Sequence, residues 1–342
     1  MISNEKLELL ERTNIKLGIS STEQRGIIFV YCPPKVGSTS LVSYIRIFAN
    51  HKYMILHIHD ETMLKVISKV SGVTVNEIID YNSQIGKNIK VIDIYRDPIE
   101  RKMSHFFEEL SSCHFNNSEK NLNSYSVKKI ENRFNKVFPY IGIGDHYLEE
   151  YGLDESEIPE FDFEKKVMVV EKKGIEYIKL RLKDAANWGE ILSVILKTEI
   201  IIRRDHETSE KPLGELYGKF KSQYVIPSNL LSLIKMEKSF NKFNTKLEKE
   251  LYIEKWEKIK SPSFKHYTQE EYSFYKELSM ENAPTKSIKY DHYKDNGCVC
   301  VSCIQIREHV KECVKTGTLK EERVVHRESP RVLSRIKMQM SL

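Results

Sequence analysis

The chain has 342 residues, of which 40% are hydrophobic, and its 54 basic and 49 acidic side chains leave a net charge of +5. It is long enough to bury a sizeable core, and the small net charge gives no reason to expect a nucleic-acid partner. No stretch reaches the roughly 18 to 20 apolar residues of a membrane span, and the charged N-terminus is unlike a signal peptide, so we expect a cytoplasmic protein without an integral membrane segment.

The first third of the chain alternates between strand and helix patterns. Residues 1–25 are predicted to be a charged amphipathic helix and a polar linker. Residues 26–112 follow as strand, helix, strand, helices, strand and helix. This alternation predicts an α/β fold, in which crossover helices flank a parallel sheet.

The first strand leads into a candidate anion-binding loop. Residues 27–46 read IIFVYCPPKVGSTSLVSYIR, an apolar run that breaks at Pro33-Pro34 before a helix begins. A tight turn that feeds a helix N-terminus presents backbone N–H groups and the positive end of the helix dipole. Nucleoside triphosphatase loops place their lysine after the second glycine, whereas Lys35 precedes Gly37, so we expect a donor other than ATP. The candidate binding residues are Lys35, Val36, Gly37, Ser38, Thr39 and Ser40.

The second strand ends in two histidines. Residues 53–60 read YMILHIHD, and alternation along a strand puts His57 and His59 on the same face. Imidazole is neutral near pH 7 and can take a proton from a hydroxyl group. The pair is therefore either catalytic, with His59 as first choice of base, or two histidines hydrogen-bonded at a sheet edge. A metal site would need a third ligand.

The third strand ends in a second motif. Residues 90–108 read KVIDIYRDPIERKMSHFFE, an apolar strand followed by Arg96, Asp97 and Pro98. Asp97 can cap a helix and Pro98 suits its first turn, so Arg96 lies at the same sheet edge as the first loop. Ser104 follows about two turns along that helix.

These motifs together resemble sulfotransferases that use 3′-phosphoadenosine 5′-phosphosulfate (PAPS). The order Pro-Lys-x-Gly-Ser-Thr-Ser resembles their 5′-phosphosulfate loop. Arg96 and Ser104 keep the interval of the arginine and serine that bind the 3′-phosphate, and Arg96 follows Lys35 by 61 positions, in the family's order. The histidine pair ahead of RDPIER resembles the uronyl 2-O-sulfotransferases of glycosaminoglycan synthesis, in which such a pair is catalytic.

The resemblance implies a P-loop-like sulfotransferase fold and transfer of a sulfuryl group from PAPS to a hydroxyl of a carbohydrate acceptor. It implies that adenosine 3′,5′-bisphosphate is the product and that no metal is required. The loop would bind the 5′ end of the donor, Arg96 and Ser104 its 3′-phosphate, and His59, His57 and Lys35 would be catalytic. A kinase-like nucleotide enzyme and an inactive glycan-binding relative remain as alternatives.

The later part of the chain yields three further predictions. Residues 166–182 have the pattern of a hairpin that turns at Lys173-Gly174. Residues 175–196 resemble a segment of sulfotransferases and capsular polysaccharide synthesis proteins in which a strand is followed by a helix packed through tryptophan, so Trp188 is expected in the core. Lys219 and Lys221 are weaker candidates for contact with the donor's phosphates.

The expected domains are an N-terminal helix and linker (1–25), a catalytic domain (26–260) and a C-terminal extension (261–342). Residues 261–297 are expected to be loop-like. The extension then gathers four cysteines within sixteen residues. Thiolates at this spacing could hold a structural zinc ion, although a disulfide or redox role and simple free thiols also remain open. These cysteines are Cys298, Cys300, Cys303 and Cys313.

Overall fold

The structure is a computed structural model that describes residues 3–20, 22, 24–115, 119–146, 151–153, 156, 158–202, 213–257 and 261–281. The predicted cysteine cluster of the extension, and with it the candidate zinc site, lies outside the described residues. The chain divides into two compact units, one formed by residues 1–106 with 131–266 and the other by residues 107–130 with 267–342.

A five-stranded sheet lies at the centre of the first unit. Its strands are β1 (Gly26–Tyr31), β2 (Tyr53–Ile58), β3 (Ile89–Tyr95), β4 (Met168–Lys172) and β5 (Ile175–Arg181). Their order in space is β2-β1-β3-β5-β4. The first four strands in this order are parallel, and β4 is antiparallel to β5. The predicted α/β class with a mostly parallel sheet is confirmed.

Helices flank the sheet and complete both units. The first seven are α1 (Asn4–Leu17), α2 (Ser38–Ala49), α3 (Glu61–Ser68), α4 (Val75–Gln84), α5 (Pro98–Glu108), α6 (Glu119–Leu122) and α7 (Val127–Val137). The remaining six are α8 (Trp188–Leu196), α9 (Gly214–Gln223), α10 (Ser228–Met236), α11 (Lys238–Lys242), α12 (Lys246–Trp256) and α13 (Gln269–Glu281). A π-helical turn covers Leu110–His114, and 3-10 turns cover Phe138–Tyr140 and Leu182–Asn187. Among these described helices, none combines the length and apolar character needed to cross a membrane.

Helix α13 corrects the expectation that residues 261–297 are loop-like. Its N-terminus carries a capping box, in which the hydroxyl of Thr268 accepts from the backbone N–H of Glu271 at 3.2 Å. The Glu271 carboxylate in turn accepts from the backbone N–H of Thr268 at 2.8 Å. This reciprocal cap satisfies two N-terminal donors, which explains how a polar, tyrosine-rich segment forms a helix.

The central strands are buried on both faces. Along β1, Ile27, Phe29 and Tyr31 pack into a core with α1 and α4, whereas Ile28 and Val30 pack on the other side with α2 and α8. This alternation is the period-two pattern of a strand covered by helices on both sides. The sheet edge that carries the predicted motifs is therefore a rigid platform.

Two local predictions for the later strands are confirmed. The hairpin of β4 and β5 turns at Lys173 and Gly174, whose φ angles of 53° and 72° are those of a type I′ turn. Trp188 is 1% exposed and lies in the core. Its indole Nε1–H donates to the carbonyl oxygen of Arg181 at 3.1 Å, so the polar group of this buried ring is satisfied.

A buried ion cluster joins two strands to the loop after α7. The ammonium of Lys179 on β5 lies 2.8 Å from a carboxylate oxygen of Asp93 on β3 and 2.9 Å from both carboxylate oxygens of Asp145. All three residues are at most 5% exposed. Burial disfavours the charged ammonium, but the two carboxylates outweigh that cost, and the pKa of Lys179 is raised.

Replacing Lys179 should destabilise the fold strongly. Lys179→Met leaves two carboxylates buried without their cation, so we expect the free energy of unfolding to fall by about 3–5 kcal/mol. Urea unfolding at pH 7 measures it. The matched control is Lys165→Met, because Lys165 pairs with Asp162 at 3.1 Å but its side chain is 79% exposed. Equal effects of the two variants would contradict a structural role for the buried cluster.

Candidate functional site

The predicted motifs meet at the topological switch point of the sheet. The chain leaves β1 toward β2 on one side, whereas β3 lies on the other side, so the switch point lies between the carboxyl ends of β1 and β3. Open α/β sheets bind their ligands at this position. There the guanidinium of Arg96, which follows β3, donates to the carbonyl oxygen of Lys35 at 2.8 Å. Arg96 also hydrogen-bonds the side chain of Tyr217 on α9. Two segments far apart in the sequence are thus joined.

The loop after β1 has the backbone geometry of an anion site. The predicted helix follows this loop: α2 begins at Ser38, and its N-cap, Gly37, has a φ of 87°. A Cβ atom on Gly37 would lie 2.7 Å from a methyl group of Leu182, so both conformation and packing require glycine here. Lys35 also adopts a left-handed conformation, with a φ of 67°. A non-glycine residue adopts this conformation in tight turns and helix caps as well as at functional sites, and Lys173 in the hairpin is another example.

The first turn of α2 offers donors and carries no opposing charge. Gly37 has no side chain to cap the helix, and no acidic residue lies in the first turn. Within the described part of the chain, the backbone N–H groups of Ser38 and Thr39 make no hydrogen bond. Together with the helix dipole, these amides attract an anion.

The histidine pair adjoins this loop. The rings of His57 and His59 lie edge to face with centroids 4.5 Å apart, so the two side chains belong to the same site. His57 Nε2 lies 3.0 Å from the hydroxyl of Ser38, and His59 Nδ1 lies 2.8 Å from the carbonyl oxygen of Cys32. A carbonyl oxygen only accepts, so Nδ1 of His59 carries the hydrogen, and Nε2 of the neutral ring keeps its lone pair.

Burial keeps both histidines neutral. The pKa of His57 is lowered to about 4, mainly by burial and to a smaller extent by the neighbouring His59 and Arg46. Burial also lowers the pKa of His59, although the hydrogen bond to Cys32 and the charge of Asp60 oppose the shift. The positive charge of Lys35 acts on His59 in the same direction as burial. A neutral imidazole with one free nitrogen is the form that a general base requires.

The same residues are less suited to binding a metal ion. One ligand atom each from Cys32, His57 and His59 lies within 4.8 Å of the others, the sole such group in the ranges that the structure describes. However, burial and the charge of Asp93 raise the pKa of the Cys32 thiol. The thiolate that a metal needs is therefore disfavoured, and the geometry does not by itself indicate a metal centre.

Ser104 is not joined to the other predicted residues. It lies in α5, is 2% exposed, and its hydroxyl makes no hydrogen bond to Arg96 or to the loop among the described residues. A cavity of about 430 Å³ does begin at Arg96 and extends past Arg101 to residues 142–145 and 237–239. The described residues that line it include neither Lys35–Ser40 nor the two histidines.

Two further residues of the site escape sequence reasoning. Tyr217 contacts Arg96, and the Nε2 atom of His146 lies 2.6 Å from the carbonyl oxygen of His59. His146 follows the loop of residues 141–145 and belongs to none of the sequence motifs, so nothing in its neighbourhood marks it as part of the site. The helix of Tyr217 also carries the weaker candidate Lys219, which pairs with Glu215 at 2.6 Å.

No protein-family model, no curated protein and no solved structure matches this chain. The resemblance to sulfotransferases therefore depends on the motifs and on their spacing.

Protonation of His57 should destabilise the folded protein in mild acid. Its pKa is about 4 in the folded state, against about 6.5 for an unperturbed histidine. The folded-state pKa is depressed, so the stabilisation is complete above pH 6.5 and is lost as the pH falls toward 4. Urea unfolding at pH 7.5, 6 and 5 should therefore show a smaller pH-dependent loss in His57→Gln than in the wild type. Parallel pH profiles of the two proteins would contradict the assignment.

Proposed function

We propose that this protein is a PAPS-dependent sulfotransferase that transfers a sulfuryl group to a hydroxyl of a carbohydrate acceptor. The observation that carries the proposal is the hydrogen bond of 2.8 Å between Arg96 and the carbonyl of Lys35. It joins the two motifs that resemble the family's binding sites for the two phosphate-bearing ends of one nucleotide. A P-loop-like sulfotransferase fold, as a finer description of the α/β architecture, is part of the same proposal.

The chemistry of the available groups suits such a donor. The 5′-phosphosulfate end would accept hydrogen bonds from the backbone amides of Ser38 and Thr39. The ammonium of Lys35 would supply a positive charge beside it. The guanidinium of Arg96 suits the 3′-phosphate, an anion that ATP lacks. The residues that would hold the donor are Lys35, Val36, Gly37, Ser38, Thr39, Ser40 and Arg96, with Ser104 retained from the resemblance alone.

His59 is the candidate base because its Nε2 atom has a lone pair. Its neighbour Lys35 is the candidate electrostatic catalyst. Nε2 would take the proton of the acceptor hydroxyl as its oxygen bonds to sulfur. PAPS supplies the sulfuryl group, and its sulfur–oxygen bond to the 5′-phosphate breaks, so that the electron pair remains on the phosphate of adenosine 3′,5′-bisphosphate. Lys35 and the loop amides would stabilise that developing charge. His57 would hold Ser38 and pack against the base.

The activity is tested by incubation with sulfur-35-labelled PAPS and a panel of acidic and neutral glycans. Labelled glycan is the expected product. Labelled phosphate transfer from ATP with magnesium would instead support the kinase-like alternative. Glycan binding without any transfer would support an inactive relative.

Removal of Arg96 should weaken binding of the donor. We expect Arg96→Ala to cost about 1.5–3 kcal/mol in affinity for adenosine 3′,5′-bisphosphate, or roughly 10- to 150-fold, because a charge-assisted hydrogen bond is lost. Calorimetry measures this affinity. Arg25→Ala is the matched control, because Arg25 donates to the carbonyl of Asn50 at the opposite end of β1. Unchanged affinity in Arg96→Ala would remove the residue from the donor site.

Removal of His59 should affect the chemical step instead. His59→Ala should lower turnover by about 100- to 10,000-fold while the affinity for adenosine 3′,5′-bisphosphate is retained, because only proton transfer is lost. Labelled transfer and calorimetry on the same preparation separate the two effects. His51→Ala, at an exposed position after α2, serves as the control and should keep full turnover. Full turnover of His59→Ala would assign the base elsewhere.

A further inference from the structure

The loop of residues 141–145 is held at four of its five residues by lysine and arginine side chains. In chain order, Lys102 donates to the carbonyl of Ile141 at 3.0 Å, Arg101 donates to those of Ile143 and Gly144 at 2.6 Å each, and Lys179 binds Asp145 at 2.9 Å. A Cβ atom on Gly142 would lie 3.0 Å from the backbone of Lys102, so the loop follows α5 too closely for a larger residue. The next residue, His146, is therefore delivered to a fixed position.

His146 directly follows this loop and lies at the histidine pair. It is 6% exposed, and its ring lies against that of Tyr31 with centroids 4.4 Å apart. Its Nε2 atom lies 2.6 Å from the carbonyl oxygen of His59, which can only accept, so Nε2 is the protonated nitrogen.

The contact matters because of where His59 lies. Strand β2 ends at Ile58 and Asp60 caps α3, so His59 occupies the junction between two elements. Among the described residues, the carbonyl of His59 has no partner other than His146, whereas its ring is held by the carbonyl of Cys32 at 2.8 Å. The backbone and the ring of this residue thus each depend on one hydrogen bond.

We propose that His146 is a positioning residue that fixes the backbone of His59, so that the His59 ring keeps its bond to Cys32 and directs Nε2 outward as a base. The consequence for turnover rests on the proposed function, but the effect on the orientation of His59 does not. A base displaced by about 1 Å can lose about 100-fold in rate, so this restraint has a measurable value.

The experiment compares His146→Leu with His146→Gln in the full chain. The amide of glutamine can donate to the same carbonyl as Nε2 of the imidazole, whereas leucine fills the space without a donor. Nitrogen-15 spectra of histidine-labelled protein, assigned with His59→Asn, report which ring nitrogen of His59 carries the hydrogen. If His146→Leu does not fold, His146→Asn replaces it, since the shorter amide does not reach the carbonyl.

We expect wild type and His146→Gln to show one tautomer of His59, protonated at Nδ1, and His146→Leu to show a mixture. In the labelled-transfer assay, kcat of His146→Leu should fall by about 10- to 100-fold with the KM for PAPS unchanged, and glutamine should restore it. Tyr151→Phe is the matched control, because it removes a bond of 2.6 Å to the carbonyl of Tyr31 in the same region without touching His59.

The two arms separate the possible failures. An unchanged His59 tautomer in a folded His146→Leu would overturn the positioning role, as would equal changes in His146→Leu and Tyr151→Phe, since these would reflect general packing. The predicted spectra together with a wild type that transfers no label would leave the positioning role intact and reject the sulfotransferase activity.

Discussion

The site depends on two backbone carbonyl groups of the loop after β1. The carbonyl of Cys32 accepts from His59 on the side of β2, and the carbonyl of Lys35 accepts from Arg96 on the side of β3, each at 2.8 Å. One loop therefore sets the positions of a candidate base and a candidate phosphate ligand on opposite sides. The left-handed conformations of Lys35 and Gly37 produce the turn between these carbonyls and the first amides of α2. Strain in this loop is thus tied to how the site is assembled.

Packing beneath the loop makes this arrangement rigid. Gly37 rests on Leu182 and Trp188, which belong to the core on one side of the sheet, and Tyr31 belongs to the core on the other side. The ion cluster around Lys179 lies between β3 and β5 and holds the loop that reaches His59. Buried charges of this kind are costly unless paired, so any arrangement of the loop that separated Asp145 from Lys179 would be disfavoured. A site of fixed groups is what electrostatic catalysis needs.

Local patterns predict the elements of the site, but not its long-range contacts. The helix after the first loop and the shared face of His57 and His59 follow from a glycine-containing turn and from strand alternation, both of which are properties of neighbouring residues. The bonds of Arg96 to Lys35 and of His146 to His59 join residues more than 60 positions apart, and no local pattern encodes them. The interval between Arg96 and Ser104 likewise specifies two helical turns, but not which surface the serine faces. The capping box of α13, Thr268 followed by Glu271, is a sequence pattern that predicts a helix start, but the polar composition of the segment favours a loop.

The proposed function requires that the loop after β1 and Arg96 bind the two phosphate-bearing ends of one nucleotide. A crystal structure with adenosine 3′,5′-bisphosphate tests it most directly. We expect the 5′-phosphate within hydrogen-bonding distance of the Ser38 and Thr39 amides and the 3′-phosphate within such distance of the Arg96 guanidinium. A nucleotide bound elsewhere, or no nucleotide between the carboxyl ends of β1 and β3 at saturating ligand, would contradict the proposal.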